Sequence, residues 1–227
     1  MAVKVPVVRN ILEANEQLAQ ENSRLFRQAG LFVVNLMSGP GAGKTSLLEH
    51  TIETLKDEIR IGVVEGDIQS SYDAERISQR GVQVVQLNTG GACHLDSSMI
   101  KSALNALQLA ELDLLVIENV GNLVCPAEFK VGEDVKVMLL SVPEGDDKPL
   151  KYPLMFQEAS VLLINKIDLL PYVDCDVSKI RQRALQLNSS LEILEISCRT
   201  GEGLSGWYNW LRSQVSNRKT DATGAEI

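Results

Sequence analysis

Cys93 and His94 stand side by side in the segment NTGGACHLD, residues 88–96. The chain has only four cysteines and two histidines, so this adjacency uses scarce residue types. Cys125 follows in the segment ENVGNLVCP. Thiolate and imidazole groups are donors that suit Zn²⁺ or Ni²⁺, which makes the three residues a candidate metal site. The alternative is ordinary structure, because buried cysteines are common and a histidine can cap a helix.

A glycine-rich segment, SGPGAGKTS at residues 38–46, has the composition of a phosphate-binding loop. It follows an apolar run and precedes a helical pattern, which is the context such a loop requires. Lys44 is expected between the β- and γ-phosphates, and the Thr45 hydroxyl on Mg²⁺. The strict motif begins with glycine, whereas this chain has Ser38; a glycine-rich turn without a ligand is the alternative. The residues expected to bind nucleotide here are Gly39, Gly41, Ala42, Gly43, Lys44, Thr45 and Ser46.

The segment NKID, residues 165–168, indicates which base is bound. Asp168 can accept hydrogen bonds from N1–H and the exocyclic amine of guanine, whereas adenine would leave the carboxylate unpaired. Asn165 would brace the loop, and the stem of Lys166 would cover the base. Four such residues alone are weak evidence, because Asn and Asp are common in turns.

A further loop, SCRTGEG at residues 197–203, follows the last apolar run. It resembles the serine-containing loop that backs the guanine in GTPases, so Ser197 and Cys198 are also expected to contact the base. Cys198 stands where alanine is frequent in those proteins, and its alternative role is that of a small, half-buried residue.

Two acidic residues end apolar runs and complete the expected phosphate chemistry. Asp67 follows the second run, and its carboxylate can reach Mg²⁺ or the attacking water. Glu118 ends the fourth run, three residues before Gly121, in the acidic-x-x-Gly form of a γ-phosphate sensor. We therefore expect catalysis to depend on Lys44, Asp67 and Glu118, with Mg²⁺ at Thr45, Asp67 and Glu118. Asp67 could instead cap a helix. Slow intrinsic hydrolysis is expected because no glutamine stands at the usual water-positioning place.

The elements that would position these residues follow from alternating apolar runs and helical patterns. Seven aliphatic runs, apolar on both faces, predict strands of a covered parallel sheet. The runs lie at 31–37, 59–64, 82–87, 113–119, 135–142, 160–165 and 191–197. Helices are predicted at 11–30, 44–57, 73–80, 96–110, 176–188 and 204–215. This alternation indicates an α/β three-layer fold of the phosphate-loop NTPase type.

Three parts are expected along the chain. A helical N-terminal segment at 1–30 should pack on the domain, the GTPase domain should span 31–215, and the polar tail at 216–227 should be disordered. The net charge of −8 and the lack of dense Lys/Arg runs disfavour a nucleic-acid partner. Without an apolar stretch of ~18 residues or a signal-peptide pattern, we expect a cytoplasmic protein with reduced thiols and no membrane partner.

The two segments of the candidate metal site should meet in space. Both leave strand ends on the edge where open α/β sheets bind ligands. Three ligands form an incomplete site for one chain, and two chains about a two-fold axis could supply more.

Taken together, SGPGAGKTSLLE, EGDIQSSYDAERI, NTGGACHLD, ENVGNLVCP and NKIDLLPYVD resemble the hydrogenase nickel-incorporation GTPases of the HypB family. The resemblance covers about residues 31 to 215. It implies that Cys93, His94 and Cys125 bind nickel or zinc at a GTP-dependent homodimer interface. It also implies GTP hydrolysis, nickel delivery to the large subunit of [NiFe]-hydrogenase, and a small zinc-containing partner chaperone.

Two other functions stay open at this point. A urease-type accessory GTPase would show a Cys-Pro-His order instead of GACHL, and a regulatory GTPase would have no metal role. The N-terminal Cys-rich motif and His-rich stretch of some HypB members are missing here, so a separate tight nickel site is not expected there. Cys175 matches no ligand pattern and is expected to be structural.

Overall fold

The structure, a computed structural model, describes residues 9–67 and 72–224. Parts of the predicted N-terminal segment (1–8), of the EGDIQSSYDAERI motif (68–71) and of the predicted tail (225–227) lie outside the described residues. The strands are β1 (Phe32–Ser38), β2 (Ile61–Asp67), β3 (Gln83–Asn88), β4 (Leu114–Glu118), β5 (Val135–Ser141), β6 (Val161–Asn165) and β7 (Glu192–Glu195).

All these strands join one parallel sheet in the order β3-β2-β4-β1-β5-β6-β7. Each of the seven predicted apolar runs overlaps one strand, although β1, β2 and β3 end one to three residues beyond their runs. The predicted α/β fold with a parallel sheet is confirmed. Because the strands are parallel, their carboxyl ends lie at one edge. The chain order reverses at β1, which lies between β4 and β5, and such a switch point is where open α/β sheets bind ligands.

The α-helices cover both faces of the sheet. They are α1 (Arg9–Gln28), α2 (Lys44–Leu55), α3 (Tyr72–Ser78), α4 (Ser97–Leu104), α5 (Cys125–Glu128), α6 (Lys148–Lys151), α7 (Pro153–Glu158), α8 (Val177–Leu187) and α9 (Leu204–Gly224). The sequence did not predict α5, α6 and α7. They are only four to six residues long, too short for an apolar face to repeat, and each has proline in its first turn.

Side-chain alternation along β1 divides the core. Val34 and Leu36 face a cluster that includes residues of α2 and α9, whereas Val33 faces a cluster with α1 and α4. Met37 joins a third cluster with α7 and α8. Successive side chains of a strand point to opposite faces, so a strand covered on both sides must be apolar at nearly every position.

Two helix ends differ from the sequence-based boundaries. α4 stops at Leu104 rather than at residue 110, and a 3₁₀ turn follows at Leu109–Glu111. α9 continues through 216–224, where the sequence predicts a disordered tail. Arg218 explains this continuation, because its guanidinium donates to the Leu31 carbonyl at 2.8 Å and pairs with Asp134. Among the helices described, none combines the length and apolarity needed to cross a membrane.

Candidate nucleotide and metal sites

The phosphate loop connects β1 to α2 and depends on two left-handed glycines. Gly41 has φ 72° and Gly43 has φ 108°, a region that disfavours L side chains. A Cβ at Gly43 would also lie 2.6 Å from the Asn165 Nδ2, which itself donates to the Ala42 carbonyl at 2.9 Å. Any larger residue would push Asn165 away from the loop that it braces.

Polar side chains of the loop bond to one another in this structure. Lys44 Nζ donates to Ser38 Oγ at 3.1 Å, and Ser38 Oγ donates to the Gly39 carbonyl at 2.6 Å. The buried Thr45 hydroxyl donates to Glu118 Oε1 at 3.2 Å. Ser38, at the position where the strict motif has glycine, therefore holds the Lys44 ammonium over the loop.

A cleft of about 370 Å³ opens above the loop, and two buried carboxylates line it. Glu65 and Glu118 face each other in register on β2 and β4, and each is only 3% exposed. The Oε2 atom of each lacks a hydrogen-bond partner among the described residues. Burial raises the pKa of Glu118 to about 7 and that of Glu65 to about 8, and the Glu118 charge adds to the shift of Glu65.

Glu65 lines the cleft but is not among the site residues predicted from the sequence, which include Asp67 on the same strand. The available signal was the strand period, because Glu65 precedes Asp67 by two positions and shares its face of β2. Asp67 lies at the strand end and lines the same cleft. Asp73 and Arg76 of α3 also line it, and neither was singled out from the sequence.

A second cleft of about 370 Å³ adjoins α2, and Asn165, Lys166, Asp168 and Cys198 are among its lining residues. Asn165 Oδ1 accepts from the Cys198 amide at 3.1 Å. Ser197 Oγ donates to Asp168 Oδ1 at 2.6 Å, which orients the carboxylate expected to read guanine. Lys166 has φ 63°, and its Nζ donates to the Gly41 carbonyl at 2.7 Å. The base-reading candidates and the phosphate loop therefore form one hydrogen-bonded unit. Burial raises the pKa of the Cys198 thiol to about 11.

The three candidate metal ligands meet at the same edge of the sheet. Cys93 Sγ lies 3.0 Å from Cys125 Sγ and 3.7 Å from His94 Nδ1. One donor atom from each residue falls within 4.8 Å of the others. Both cysteines carry free thiols, and Cys93 is exposed. Residues 32 positions apart thus form a compact group of one nitrogen and two sulfur donors, which suits Zn²⁺ or Ni²⁺.

Neighbouring groups orient these ligands. The His94 ring lies on Phe129, with ring centroids 4.0 Å apart and planes at 31°. Burial lowers the pKa of His94, against the opposing charges of Asp96 and Glu128, and so favours the neutral imidazole that binds metals. The Cys93 hydrogen bond and burial raise the pKa of the Cys125 thiol.

Two asparagines on the loop after β4 tie the two sites together, and sequence reasoning missed both. Asn119 Oδ1 accepts from the Leu95 amide at 3.0 Å, and Asn122 Nδ2 donates to the Cys93 carbonyl at 3.2 Å. Nothing in a single sequence marks them, because asparagine is common in loops. Cys175, expected to be structural, packs at the edge of the third core cluster.

Comparisons with known proteins place the chain among nucleotide-binding domains. Residues 32–195 match the CobW/HypB/UreG nucleotide-binding domain. The hydrogenase maturation factor HypB of Rhizobium leguminosarum bv. viciae is 48% identical over 214 residues, covering 94% of this chain and 72% of that protein. The HypB of Escherichia coli K12 is 50% identical over 205 residues, covering 90% of this chain and 71% of that protein.

A solved structure matches as well. The crystal structure of HypB from Helicobacter pylori in complex with nickel aligns with a TM-score of 0.86 at 40% identity. The alignment covers 91% of this chain and 97% of that one. The likeness therefore extends over nearly the whole chain.

Proposed function

The chain belongs to the CobW/HypB/UreG family of nucleotide-binding proteins, and on this premise we propose that it is a GTP-hydrolysing nickel chaperone for [NiFe]-hydrogenase. One observation carries the proposal: the phosphate loop and the Cys93–His94–Cys125 cluster lie at the same sheet edge, joined by the short loop after β4. Nucleotide state can therefore act on bound metal.

Hydrolysis would use the residues of the phosphate cleft. The Lys44 ammonium offsets the charge of the β- and γ-phosphates. The oxygen donors of Thr45, Asp67 and Glu118 fit Mg²⁺. The Oε2 of buried Glu118, which has no hydrogen-bond partner in the described ranges 9–67 and 72–224, supports this fit. When bound, Mg²⁺ supplies positive charge to the phosphates. Turnover is slow in this proposal because the sequence has no glutamine at the place where signalling GTPases carry the water-positioning one.

Base selection would rest on the second cleft. Asp168, oriented by Ser197, accepts from the two guanine donors, and Asn165 holds the loop in register with the phosphates. The Lys166 stem covers the base. Adenine offers no such pair of donors, so ATP leaves the carboxylate without partners.

The cargo site is incomplete in one chain. Two thiolates and one imidazole leave at least one position of a four-coordinate ion unfilled. A second copy can supply the missing donors, so we place Ni²⁺, or Zn²⁺ in its stead, at a GTP-dependent homodimer interface. Val124, beside Cys125, is 50% exposed and offers an apolar contact for that second copy.

The relatives named hydrogenase maturation factor support the physiological role. We infer that this chain receives nickel from a small zinc-containing partner chaperone and delivers it to the hydrogenase large subunit. The thiol ligands require a reducing compartment, so this work takes place in the cytoplasm.

The direct test combines two measurements on the purified protein. Calorimetry with GTP and ATP should show a clear preference for GTP, and nickel titration with and without nucleotide should show stoichiometric binding. Equal affinity for ATP would overturn the guanine assignment. A protein that binds GTP but no nickel in either state would be a regulatory GTPase instead.

A further inference from the structure

The turn after β4 is in backbone contact with the phosphate loop. A Cβ placed on Gly121 would lie 3.0 Å from the Pro40 Cα, so glycine is what lets the two backbones approach this closely. Pro40 and Gly121 also line the phosphate cleft. A displacement of the loop by bound phosphate therefore acts on the turn without any intervening side chain.

Asn122 follows this contact directly and bonds in two directions. Its Oδ1 accepts from the Val124 amide at 2.8 Å, which shapes the turn that leads to Cys125. Its Nδ2 donates to the Cys93 carbonyl at 3.2 Å, across 29 positions of sequence. One half-buried side chain thus reaches both cysteine-bearing segments of the metal cluster.

Asn119 provides the contrast. It is fully buried, its Oδ1 accepts from the Leu95 and Val120 amides at 3.0 Å, and its Nδ2 donates to Asn35 Oδ1 at 3.1 Å. This network fixes the chain at Leu95. Cys93, two residues earlier, is exposed, and among the described contacts its backbone carbonyl is held by Asn122.

We propose that the Asn122 side chain is the positioning element that carries nucleotide state to the metal site. When the phosphate loop moves, the turn at Gly121 moves with it. Asn122 then shifts the Cys93 carbonyl relative to Leu95, whose position is fixed. The distance between the Cys93 and Cys125 thiols changes with it. This inference rests on the proposed function, since it assumes that the cluster binds nickel and that nucleotide modulates that binding.

Two variants separate the cross-link from the local turn. Asn122→Asp keeps the acceptor for the Val124 amide and loses the donor to Cys93, whereas Asn122→Ala loses both. Nickel affinity is measured by calorimetry with Mg²⁺–GDP and with a Mg²⁺-bound non-hydrolysable GTP analogue. Asn209→Ala, on α9 at the other face of the sheet, is the matched control. Guanine nucleotide affinity is measured for each variant.

The wild-type protein and Asn209→Ala should show nickel affinities that differ by ~5–150-fold between the two nucleotide states. In both Asn122 variants this ratio should fall toward 1, and nickel should lose its reciprocal effect on nucleotide affinity. Nucleotide affinity without nickel should stay at the wild-type value. A purely structural role would lower nickel affinity in both states equally and leave the ratio unchanged.

Other outcomes overturn the inference in distinguishable ways. A ratio lost in Asn122→Ala and kept in Asn122→Asp assigns the effect to the Val124 hydrogen bond. A ratio changed only in Asn122→Asp assigns it to the added charge. Wild-type protein that binds nickel equally in both states refutes the link and leaves the chaperone function standing. Wild-type protein that binds no nickel refutes both.

Discussion

The phosphate loop and the Cys/His cluster lie at one sheet edge but are built in opposite ways. The loop is made of backbone, held by Asn165 and by left-handed Gly41 and Gly43, and the side chains of Ser38, Lys44 and Thr45 bond within the fold. The cluster is made of side chains on an open surface, with Cys93 exposed. A preformed loop suits a ligand that must always bind in one geometry, whereas an open cluster suits a cargo that must later leave.

Electrostatics sharpens the contrast. The nucleotide cleft buries Glu65 and Glu118, and each has one oxygen without a hydrogen-bond partner in the described part of the chain, so a cation would offset the cost of burying these oxygens. The thiols of the cluster instead have each other as hydrogen-bond partners, and the pKa of the Cys125 thiol is raised by that bond and by burial. Metal binding at the cluster must displace protons, and its affinity is therefore the more easily tuned of the two.

The largest expected effect is on GTP hydrolysis, from a substitution in the nucleotide site alone. Lys44→Ala removes the ammonium expected to face the phosphates, and GTP hydrolysis should fall by ~10²–10³-fold, the usual cost of one preorganised donor. Lys56→Ala, at the far end of α2, should hydrolyse GTP normally. Phosphate-release assays decide this prediction. An unchanged rate in the Lys44 variant would show that the activity belonged to a contaminant.

The next largest effect is on nickel affinity, from substitutions in the Cys/His cluster alone. Cys93→Ala or Cys125→Ala should lower nickel affinity by at least ~100-fold, more than loss of an outer-shell partner costs. Nickel-dependent dimerisation, followed by light scattering, should disappear while GTP binding stays within about twofold of wild type. Cys175→Ala is the matched control. Loss of GTP binding in the cluster variants would assign those thiols a structural role instead.

Within the nucleotide region, a substitution in the base cleft should have a smaller effect than one in the phosphate cleft. Asp168→Asn replaces a double acceptor by an amide and should weaken GTP binding by ~10–100-fold, as expected for loss of hydrogen bonds to a charged group. Preference against xanthosine triphosphate should relax in the same variant. Asp174→Asn, on the exposed loop beyond, should leave both affinities unchanged, and a matching loss there would refute the assignment.

The smallest expected effect is on the free energy of unfolding, and it tests the buried carboxylates without any ligand. Because the pKa of Glu65 is raised from about 4.5 to about 8, its contribution to stability is complete at low pH and is lost as pH rises through that window. Glu65→Gln should therefore gain stability relative to wild type, by up to about 1.4 kcal/mol for each unit of pH between 5 and 8. Urea unfolding measures it, with exposed Glu192→Gln as control. Parallel pH curves for Glu65→Gln and wild type would contradict it.

Much of the fold could be predicted from local pattern. Runs that are apolar on both faces predict buried parallel strands, and each of the seven overlaps a strand of the structure. The elements that the sequence did not predict have two causes. α5, α6 and α7 are too short for an apolar face to repeat, and the continuation of α9 beyond residue 215 depends on the long-range contact of Arg218 with Asp134.

The residues of the candidate site also fall into those that the sequence could predict and those that it could not. Residues with unusual chemistry or spacing, such as Lys44, Asp168 and the Cys93–His94 pair, stand out in one sequence because few structural roles need them there. Glu65 could have been found from strand periodicity. Asn119 and Asn122 could not, because an asparagine acquires its role only from the amide or carbonyl that it meets.

The sequence by itself determined the strands, the phosphate loop and the three candidate metal donors, since each depends on neighbours within a few residues. The tertiary structure alone decided that Cys93 and Cys125 lie 3.0 Å apart, that Glu65 faces Glu118, and that Gly121 touches Pro40. These are contacts between segments 32 to 81 positions apart. Strand order and loop packing set them, and neither is encoded in any short stretch of chain.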